Sequence, residues 1–278
     1  MEISGSTKVL GLIGSPVAHS LSPYIHNTLA RHLSIDTAYV TFDVSPASLA
    51  TAIAGAHALG IAGLNVTYPH KTIAANLAIS LDNLAAQARA VNTLKYTPKG
   101  YIGYNTDIAG VKHAFSHHGI SLNGKTAAII GAGASACSAA IALAQMGCQK
   151  ITITNRTLKN AETLATLLQK YYNVYIAVCA PQNFLKIESD ALIYAAADNL
   201  GLSLDVSRHG AVFDINYRHG ESSLIAAAKA CGIATVTGLE MLVYQAVSAY
   251  EIFTDTKVPQ NIAREITHSI THSSAKGQ

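Results

Sequence analysis

One lysine and one aspartate in this 278-residue chain stand where proton-transfer chemistry would need them. Lys71 ends the stretch GLNVTYPHK, just past an apolar run that predicts a buried strand and on a turn that Pro69 restricts. Asp107 ends the stretch GYNTD, directly before a helical pattern. A positioned lysine and aspartate can move a proton to or from a substrate oxygen. The alternatives are structural: a loop lysine is usually a solvated surface charge, and Asp107 could cap the helix that follows.

Hydroxyl and amide side chains follow other predicted strands in the same part of the chain. Ser20 and Ser22 come after the first strand, Thr67 after the third, and Asn92 lies in AVNT. Open α/β sheets bind ligands beyond the carboxyl ends of their strands, so we expect these side chains to line one pocket. Groups that both donate and accept hydrogen bonds suit a ligand with several hydroxyls. Alternatively, Ser22 caps the helix that starts at Pro23, and Asn92 is a turn residue.

A second set of residues is typical of dinucleotide binding. The sequence TAAIIGAGASACSAA predicts a strand, a G-x-G-x-x-A turn and a helix. Gly131 would make the tight turn, Gly133 would let the backbone approach a pyrophosphate, and Ala136 takes the packing position of the third glycine. The helix N-terminus would present free N–H groups to phosphates. The alternative is a glycine turn without a ligand. The expected phosphate loop comprises Gly131, Ala132, Gly133, Ala134 and Ser135.

The end of the next predicted strand, 150–155, distinguishes NAD from NADP. An NAD site needs an acidic residue there to accept hydrogen bonds from the ribose hydroxyls. No aspartate or glutamate occurs from Ile108 to Ala161, and Asn155, Arg156 and Thr157 end the strand instead. A guanidinium and a hydroxyl bind a 2′-phosphate well. The pattern therefore predicts NADP(H), and the alternative for Arg156 is an exposed loop charge.

The scaffold that must position these residues is predicted to be α/β, because short β-branched runs alternate with alanine-rich helical patterns. We expect an N-terminal, mostly parallel α/β substrate-binding and catalytic domain and a Rossmann-like NADP-binding domain. The first comprises 1–107 and, through C-terminal helices that return to it, 239–278; the second comprises 108–238. AVNTLKYT and KGYIGYN predict a hairpin or two short strands, and the polar tail THSSAKGQ is expected to be frayed.

Composition and charge narrow the class of protein. Apolar residues make up 50% of the chain and the mean hydropathy is +0.26, which is ample for a buried core. A net charge of +3 without a lysine or arginine cluster disfavours nucleic acid and suits a small anionic ligand. We expect no membrane segment and no signal peptide. Four scattered cysteines without a CxxC motif fit free thiols, so we expect a cytoplasmic protein.

Two histidine pairs have a spacing that metal sites use. His113 and His117, like His268 and His272, are four residues apart on predicted helices. Neither pair has a cysteine or carboxylate nearby to complete a site, and the HExxH motif is absent. An exposed polar helix face is the preferred interpretation, and no metal is expected.

The ordered set of motifs resembles that of shikimate dehydrogenases. GSPVAHSLSPYIHN, GLNVTYPHK, AVNT, GYNTD, GAGASA, NRT and GLEMLVYQA follow one another in the family's order over nearly the whole chain. The set is far more specific than any one of its members. The resemblance implies reversible, NADPH-dependent reduction of 3-dehydroshikimate to shikimate in aromatic amino-acid biosynthesis. It implies a small-molecule partner and a monomer or homodimer.

The resemblance also implies roles for individual residues. Lys71 and Asp107 match the family's catalytic pair, and Ser20 and Ser22 match residues that hold the substrate carboxylate. Further substrate contacts are implied for Thr67, Asn92, Tyr217 and Gln245. Cofactor contacts outside the glycine loop are implied for Asn155, Arg156, Thr157, Gly238 and Met241.

Several positions depart from the family's pattern, mostly in the cofactor half. Tyr194–Ala197 replaces an N-A-T-S type sequence, and RHGESSL over 218–224 replaces N-P-x-x-T-P-L. Cys137 and Asn160 stand where arginines are frequent, and Glu240 replaces a glycine. We expect slower turnover or weaker cofactor binding than is usual, and the same reaction. Two alternatives stay open: a quinate/shikimate dehydrogenase with relaxed cofactor use, and a catalytically weak shikimate-binding sensor.

Overall fold

The chain divides into two compact units in the computed structural model, which describes residues 2–196, 204–217 and 221–276, with side chains as far as residue 271. One unit comprises Met1–Thr106 and Leu242–Ser273, and the other comprises Asp107–Met241 and Ser274–Gln278. Both are α/β, which confirms the predicted fold class. No helix in the described part of the chain has the length and apolar composition that a membrane span requires.

Helices alternate with strands along most of the chain. Their bounds, in chain order, are Ser22–Leu33 (α1), Leu49–Ala58 (α2), Lys71–Leu77 (α3), Asn83–Ala88 (α4), Asp107–His117 (α5), Ala134–Gln145 (α6), Leu158–Tyr171 (α7), Pro181–Phe184 (α8), Ser223–Ala230 (α9), Gly238–Thr254 (α10) and Gln260–Lys276 (α11). The tail that we expected to be frayed is therefore helical as far as Lys276.

The sheet of the first unit is mixed. Its strands are Lys8–Gly14 (β1), Thr37–Asp43 (β2), Gly63–Val66 (β3), Ser80–Leu81 (β4), Thr93–Thr97 (β5) and Gly100–Tyr104 (β6), in the order β2-β1-β3-β5-β6-β4. β1 pairs in parallel with β2 and β3, whereas β5 is antiparallel to both β3 and β6. The predicted hairpin is thus confirmed, and its geometry brings the residues before β5 and after β6 to the carboxyl end of β3.

The sheet of the second unit is entirely parallel. Its strands are Thr126–Ile130 (β7), Lys150–Thr154 (β8), Tyr175–Val178 (β9), Ala191–Tyr194 (β10), Ala211–Asp214 (β11) and Ala234–Thr237 (β12). They lie in the order β12-β11-β10-β7-β8-β9, which is the doubly wound arrangement of dinucleotide-binding domains. The strand order reverses between β7 and β10, so the turns after these two strands border the crevice where such sheets bind ligands.

The core of the first unit contains a histidine that makes no hydrogen bond to the described part of the chain. His26, on α1, is 1% exposed, and neither ring nitrogen has a partner among the described residues. The ring stacks on Tyr39 with a centroid distance of 4.1 Å and an interplanar angle of 5°. Burial lowers the pKa of His26 to about 3. The imidazole is therefore neutral in the folded protein at neutral and mildly acidic pH.

Because of His26, we expect the free energy of unfolding to fall as the pH is lowered. The unfolded chain takes up a proton near the ordinary pKa of 6.5, while the folded protein does not do so until about pH 3. The stability that goes with a neutral His26 is fully present above pH 6.5. Between pH 6.5 and about pH 3, the free energy of unfolding falls by about 1.4 kcal/mol per pH unit. We expect His26→Phe, which preserves the ring stack, to flatten this decline in denaturant unfolding.

The control for that measurement is His32→Gln, which changes an exposed histidine of the same helix. It should retain the pH dependence of the unmodified protein. A His26→Phe variant whose free energy of unfolding declines with acid as steeply as that of the unmodified protein would contradict the assignment.

Candidate active site

A buried network of amides and hydroxyls lies at the carboxyl ends of β3 and β6. The Asn92 Oδ1 atom accepts a hydrogen bond from the Thr106 backbone N–H at 2.7 Å. The Asn92 Nδ2 atom donates to the Thr106 hydroxyl at 2.9 Å and to the Gln245 Oε1 atom at 3.2 Å. All three residues are less than 10% exposed. Asn92 is therefore part of a satisfied polar cluster and not a solvated turn residue.

Asn65 and Tyr39 extend this cluster by further buried hydrogen bonds. The Asn65 Nδ2 atom donates to the Asn92 carbonyl and to the Thr93 hydroxyl, each at 3.0 Å. The Tyr39 hydroxyl donates to the Asn65 Oδ1 atom at 2.8 Å. The orientation of the Asn65 amide is fixed because both its oxygen and its nitrogen are hydrogen-bonded.

Lys71 begins α3 beside the same cluster. Its carbonyl accepts a hydrogen bond from the backbone N–H of Val91, the neighbour of Asn92, at 2.9 Å. The preceding His70 is fully buried, and its Nε2 atom is 2.7 Å from the Val44 carbonyl. His70 thus anchors the turn by which Lys71 is positioned. The Lys71 side chain is partly exposed, as a group that meets a substrate must be.

Thr67 directly follows β3 and contacts the end of β1, after which the segment with the two serines begins. Its backbone N–H donates to the Ile13 carbonyl at 2.9 Å. Its methyl group fills the space beside Gly14, where a Cβ atom would collide with it. The close contact explains why β1 ends in glycine at this point.

Ser20 and Ser22 lie together at the start of α1. The Ser22 backbone N–H donates to the Ser20 hydroxyl oxygen at 3.2 Å, and Ser22 is 5% exposed. The residue at the N-cap is Leu21, whose side chain makes no capping bond, and Ser22 is the first helical residue. The alternative that Ser22 serves as the helix cap is therefore wrong.

Asp107 and Tyr217 both belong to the second unit. Asp107 is the first residue of α5 and is 4% exposed. It directly follows Thr106, whose backbone N–H and hydroxyl are engaged by Asn92 in the first unit. Tyr217 is partly buried shortly after β11.

The glycine loop after β7 has the geometry of a phosphate-binding turn. Gly131 has a φ of +121°, and a Cβ atom there would lie 2.7 Å from the Ala195 carbonyl oxygen at the end of β10. A Cβ atom at Gly133 would meet none of the described residues within 4 Å, so the space beside this backbone is open. Gly133 is the N-cap of α6, and as a glycine it has no side chain with which to cap the first N–H groups. Ala136 is fully buried, as its packing role requires. These features fit a pyrophosphate on the helix N-terminus.

The turn after β8 presents a cation and a hydroxyl. The Asn155 Nδ2 atom donates to the Thr157 carbonyl at 2.9 Å, which closes the turn. Thr157 is the N-cap of α7, and its side chain makes no capping bond. Arg156 and Thr157 are both exposed. The residues present therefore fit a 2′-phosphate.

The carboxyl ends of β10 and β11 are joined to the start of α10. The Asn216 Nδ2 atom donates to the Ala196 carbonyl at 3.1 Å. A Cβ atom at Gly238 would collide with the Ile215 carbonyl, so only glycine permits this approach of the two backbones. Met241, three residues further on, is 5% exposed. Among the departures from the family's pattern, Ala197 and Arg218–Gly220 lie outside the described residues.

Metal ligands do not cluster in the described part of the chain: it contains no group of three histidine, cysteine or acidic side chains that could hold an ion. Thr106 and Thr93 are members of the polar cluster to which the sequence analysis assigned no substrate or catalytic role. Their only sequence signal was their position inside GYNTD and AVNT.

The doubly wound sheet with its glycine loop, together with a separate unit rich in buried amides and hydroxyls, is characteristic of a two-domain dinucleotide-dependent oxidoreductase. Three family models match the chain. They describe the shikimate dehydrogenase substrate-binding domain over residues 12–94, shikimate/quinate 5-dehydrogenase over 112–201, and the shikimate 5′-dehydrogenase C-terminal domain over 238–266.

Individual proteins agree with these models. A shikimate dehydrogenase (NADP+) of Halobacterium salinarum is 40% identical over 260 residues, which cover 90% of this chain and 95% of that protein. A crystal structure of a shikimate dehydrogenase in complex with NADP+ has a TM-score of 0.85 and 33% identity, covering 97% of this chain and 98% of its own. The Listeria monocytogenes shikimate 5-dehydrogenase in complex with shikimate and NAD has a TM-score of 0.86 and 28% identity, covering 96% and 98%. The chain belongs to the shikimate dehydrogenase family.

Proposed function

We propose that the protein is an NADP-dependent shikimate dehydrogenase, which reduces 3-dehydroshikimate to shikimate and catalyses the reverse reaction. The observation that carries the proposal is the buried Asn92–Thr106–Gln245 cluster beside the start of α3, where Lys71 lies. It offers fixed amides next to a lysine, as a ligand with ring hydroxyls and a reactive carbonyl requires. The names of the relatives support the same reaction.

In this proposal the residues of the first unit recognise the substrate. The hydroxyls of Ser20 and Ser22 hold the carboxylate, since both residues lie at the start of α1 and Ser22 is not the helix cap. The ring hydroxyls are bound by Thr67, Asn92 and Gln245, with Tyr217 as a further contact. A polyol that lacks one of these hydroxyls would lose its hydrogen bonds to the site, which gives such a site its selectivity.

Lys71 and Asp107 carry the proton transfer. NADPH, when bound, supplies the hydride to the carbonyl carbon. Negative charge then develops on the carbonyl oxygen, and Lys71 stabilises that charge and donates a proton to it, with Asp107 as its acid–base partner. In the oxidative direction, Lys71 accepts the proton from the C3 hydroxyl.

Cofactor binding rests on two turns of the second unit. Gly131, Ala132, Gly133, Ala134 and Ser135 form the pyrophosphate loop. Asn155, Arg156 and Thr157 would hold the 2′-phosphate, and Gly238 and Met241 would be further cofactor contacts. The open space beside Gly133 and the place of this glycine at the N-cap of α6 support the first assignment.

We place the reaction in the route to chorismate and the aromatic amino acids, in the cytoplasm. The protein acts on a small molecule, as a monomer or a homodimer, and nucleic acid is not a partner. A second candidate activity is quinate oxidation, which is favoured by the match of residues 112–201 to a family model that spans both substrates.

The test is a comparison of kcat/KM for shikimate and quinate, each with NADP+ and with NAD+. We expect shikimate with NADP+ to exceed shikimate with NAD+ by at least about 10-fold, because charge-assisted hydrogen bonds to a 2′-phosphate contribute about 1.5–3 kcal/mol. We also expect it to exceed quinate with NADP+. A higher value for quinate or for NAD+ would establish the second candidate. Shikimate binding without turnover on any pair would indicate the sensor.

A further inference from the structure

A buried carboxylate at the start of α10 is not explained by the proposed chemistry. Glu240 is 7% exposed, and its Oε2 atom accepts hydrogen bonds from the Thr237 backbone N–H at 2.7 Å and from the Thr237 hydroxyl at 3.0 Å. Thr237 immediately precedes the helix, and Glu240 is the third helical residue. The pair forms the capping box that fixes the first turn of a helix.

The second oxygen of Glu240 is also engaged. The His118 Nε2 atom lies 2.7 Å from Glu240 Oε1, and His118 directly follows α5. The hydrogen bond to Glu240 raises the pKa of His118. Burial alone would raise the pKa of Glu240, but the hydrogen bonds from His118 and Thr237 lower it. Glu240 is thus a paired, hydrogen-bonded buried charge that ties the start of α10 to the end of α5 within the second unit.

A continuous set of contacts connects this capping box with the dinucleotide loop. Gly238 packs against the Ile215 carbonyl, and the next residue, Asn216, donates to the Ala196 carbonyl at 3.1 Å. The neighbouring Ala195 carbonyl lies against Gly131, the first glycine of the loop. All of these residues belong to the second unit. A shift in the first turn of α10 would therefore displace the backbone at the carboxyl ends of β11 and β10.

We propose that Glu240, held by His118, is a positioning residue for the dinucleotide. It fixes the first turn of α10, so that Gly238 and Met241 are placed for the cofactor and the ends of β10 and β11 stay in register with the glycine loop. The inference rests on the proposed use of NADP. A small residue at position 240 would leave the Thr237 N–H and the His118 ring without this acceptor.

The test compares Glu240→Ala and Glu240→Gln with a matched control on the same helix. We expect Glu240→Ala to raise the Kd for NADP+, measured by calorimetry, by about 5- to 10-fold, as expected for loss of a buried hydrogen-bonded acceptor. The KM for shikimate and kcat at saturating NADP+ should stay within about 2-fold. Glu240→Gln keeps an oxygen for Thr237 and should recover part of the affinity.

The matched control is Glu251→Gln, near the other end of α10. Glu251 likewise accepts a backbone N–H, from Val258 at 2.9 Å, and pairs with Lys257 at 2.8 Å. The Glu251→Gln variant should have a lower melting temperature and an unchanged Kd for NADP+. An unchanged Kd in Glu240→Ala, or an equal rise in Glu251→Gln, would overturn the inference. Failure of the unmodified protein to bind NADP+ would overturn the proposed function as well, so the two failures are distinguishable.

Discussion

Replacing Lys71 by alanine should lower kcat for shikimate oxidation by about 10²- to 10⁴-fold, the range that a positioned acid–base group contributes. The Kd for shikimate should change by less than about 10-fold, because the serine hydroxyls and the amide cluster remain. The fold should persist, since the hydrogen bond from the Val91 backbone N–H to the main-chain carbonyl of residue 71 remains possible in the variant.

Lys99→Ala is the control for this substitution. Lys99 lies in the exposed turn between β5 and β6, and its backbone N–H bonds to the Thr97 hydroxyl at 3.3 Å. Removal of its charge should leave kcat unchanged. A Lys71→Ala variant that retains kcat would contradict the assigned role, and one that loses shikimate binding altogether would make Lys71 a binding residue.

Replacing Arg156 by alanine should raise the KM for NADP+ by about 10- to 100-fold, as loss of one or two charge-assisted hydrogen bonds predicts. The KM for NAD+ should hardly change, because NAD+ has no 2′-phosphate for the guanidinium to bind. The ratio of the two kcat/KM values is therefore the informative quantity. Arg156 is exposed on the turn after β8, so the substitution should leave the free energy of unfolding nearly intact.

Arg208→Ala provides the comparison within the same unit. Arg208 pairs with Glu188 at 3.1 Å and with Asp205 at 3.4 Å, away from the glycine loop in sequence. It should leave both KM values unchanged. An equal rise of the KM for NADP+ and for NAD+ in Arg156→Ala would mean that Arg156 supports the turn and does not read the 2′-phosphate.

Local patterns were sufficient to predict most of the fold. The strand, glycine turn and helix from Thr126 to Gln145 are encoded in consecutive residues, and so is the hairpin of β5 and β6. Two short elements, β4 and α4, were not predicted because local patterns need a longer run of residues. The two residues of β4 and the six of α4 are too few to show a period, and pairing with β6 and the Asp82 cap define them instead.

The polar cluster shows what local patterns cannot predict. Asn92 and Gln245 are 153 positions apart, and nothing in either segment specifies that the two amides meet. Glu240 and His118 are separated by 122 positions. From the sequence, Glu240 was noted only because it replaces a glycine of the family's pattern, and nothing indicated that His118 is its partner. The expectation of weaker cofactor binding stays a prediction, and the capping box gives one departure a structural reason.

The most direct measurement follows the absorbance of reduced nicotinamide after NADPH and 3-dehydroshikimate are added to the purified protein. We predict a decay that depends on both compounds, that yields shikimate in equal amount, and that is much slower with NADH. No decay with either nicotinamide, in a protein that binds shikimate and NADPH, would contradict the proposed reaction and indicate a binding protein that uses the same pocket.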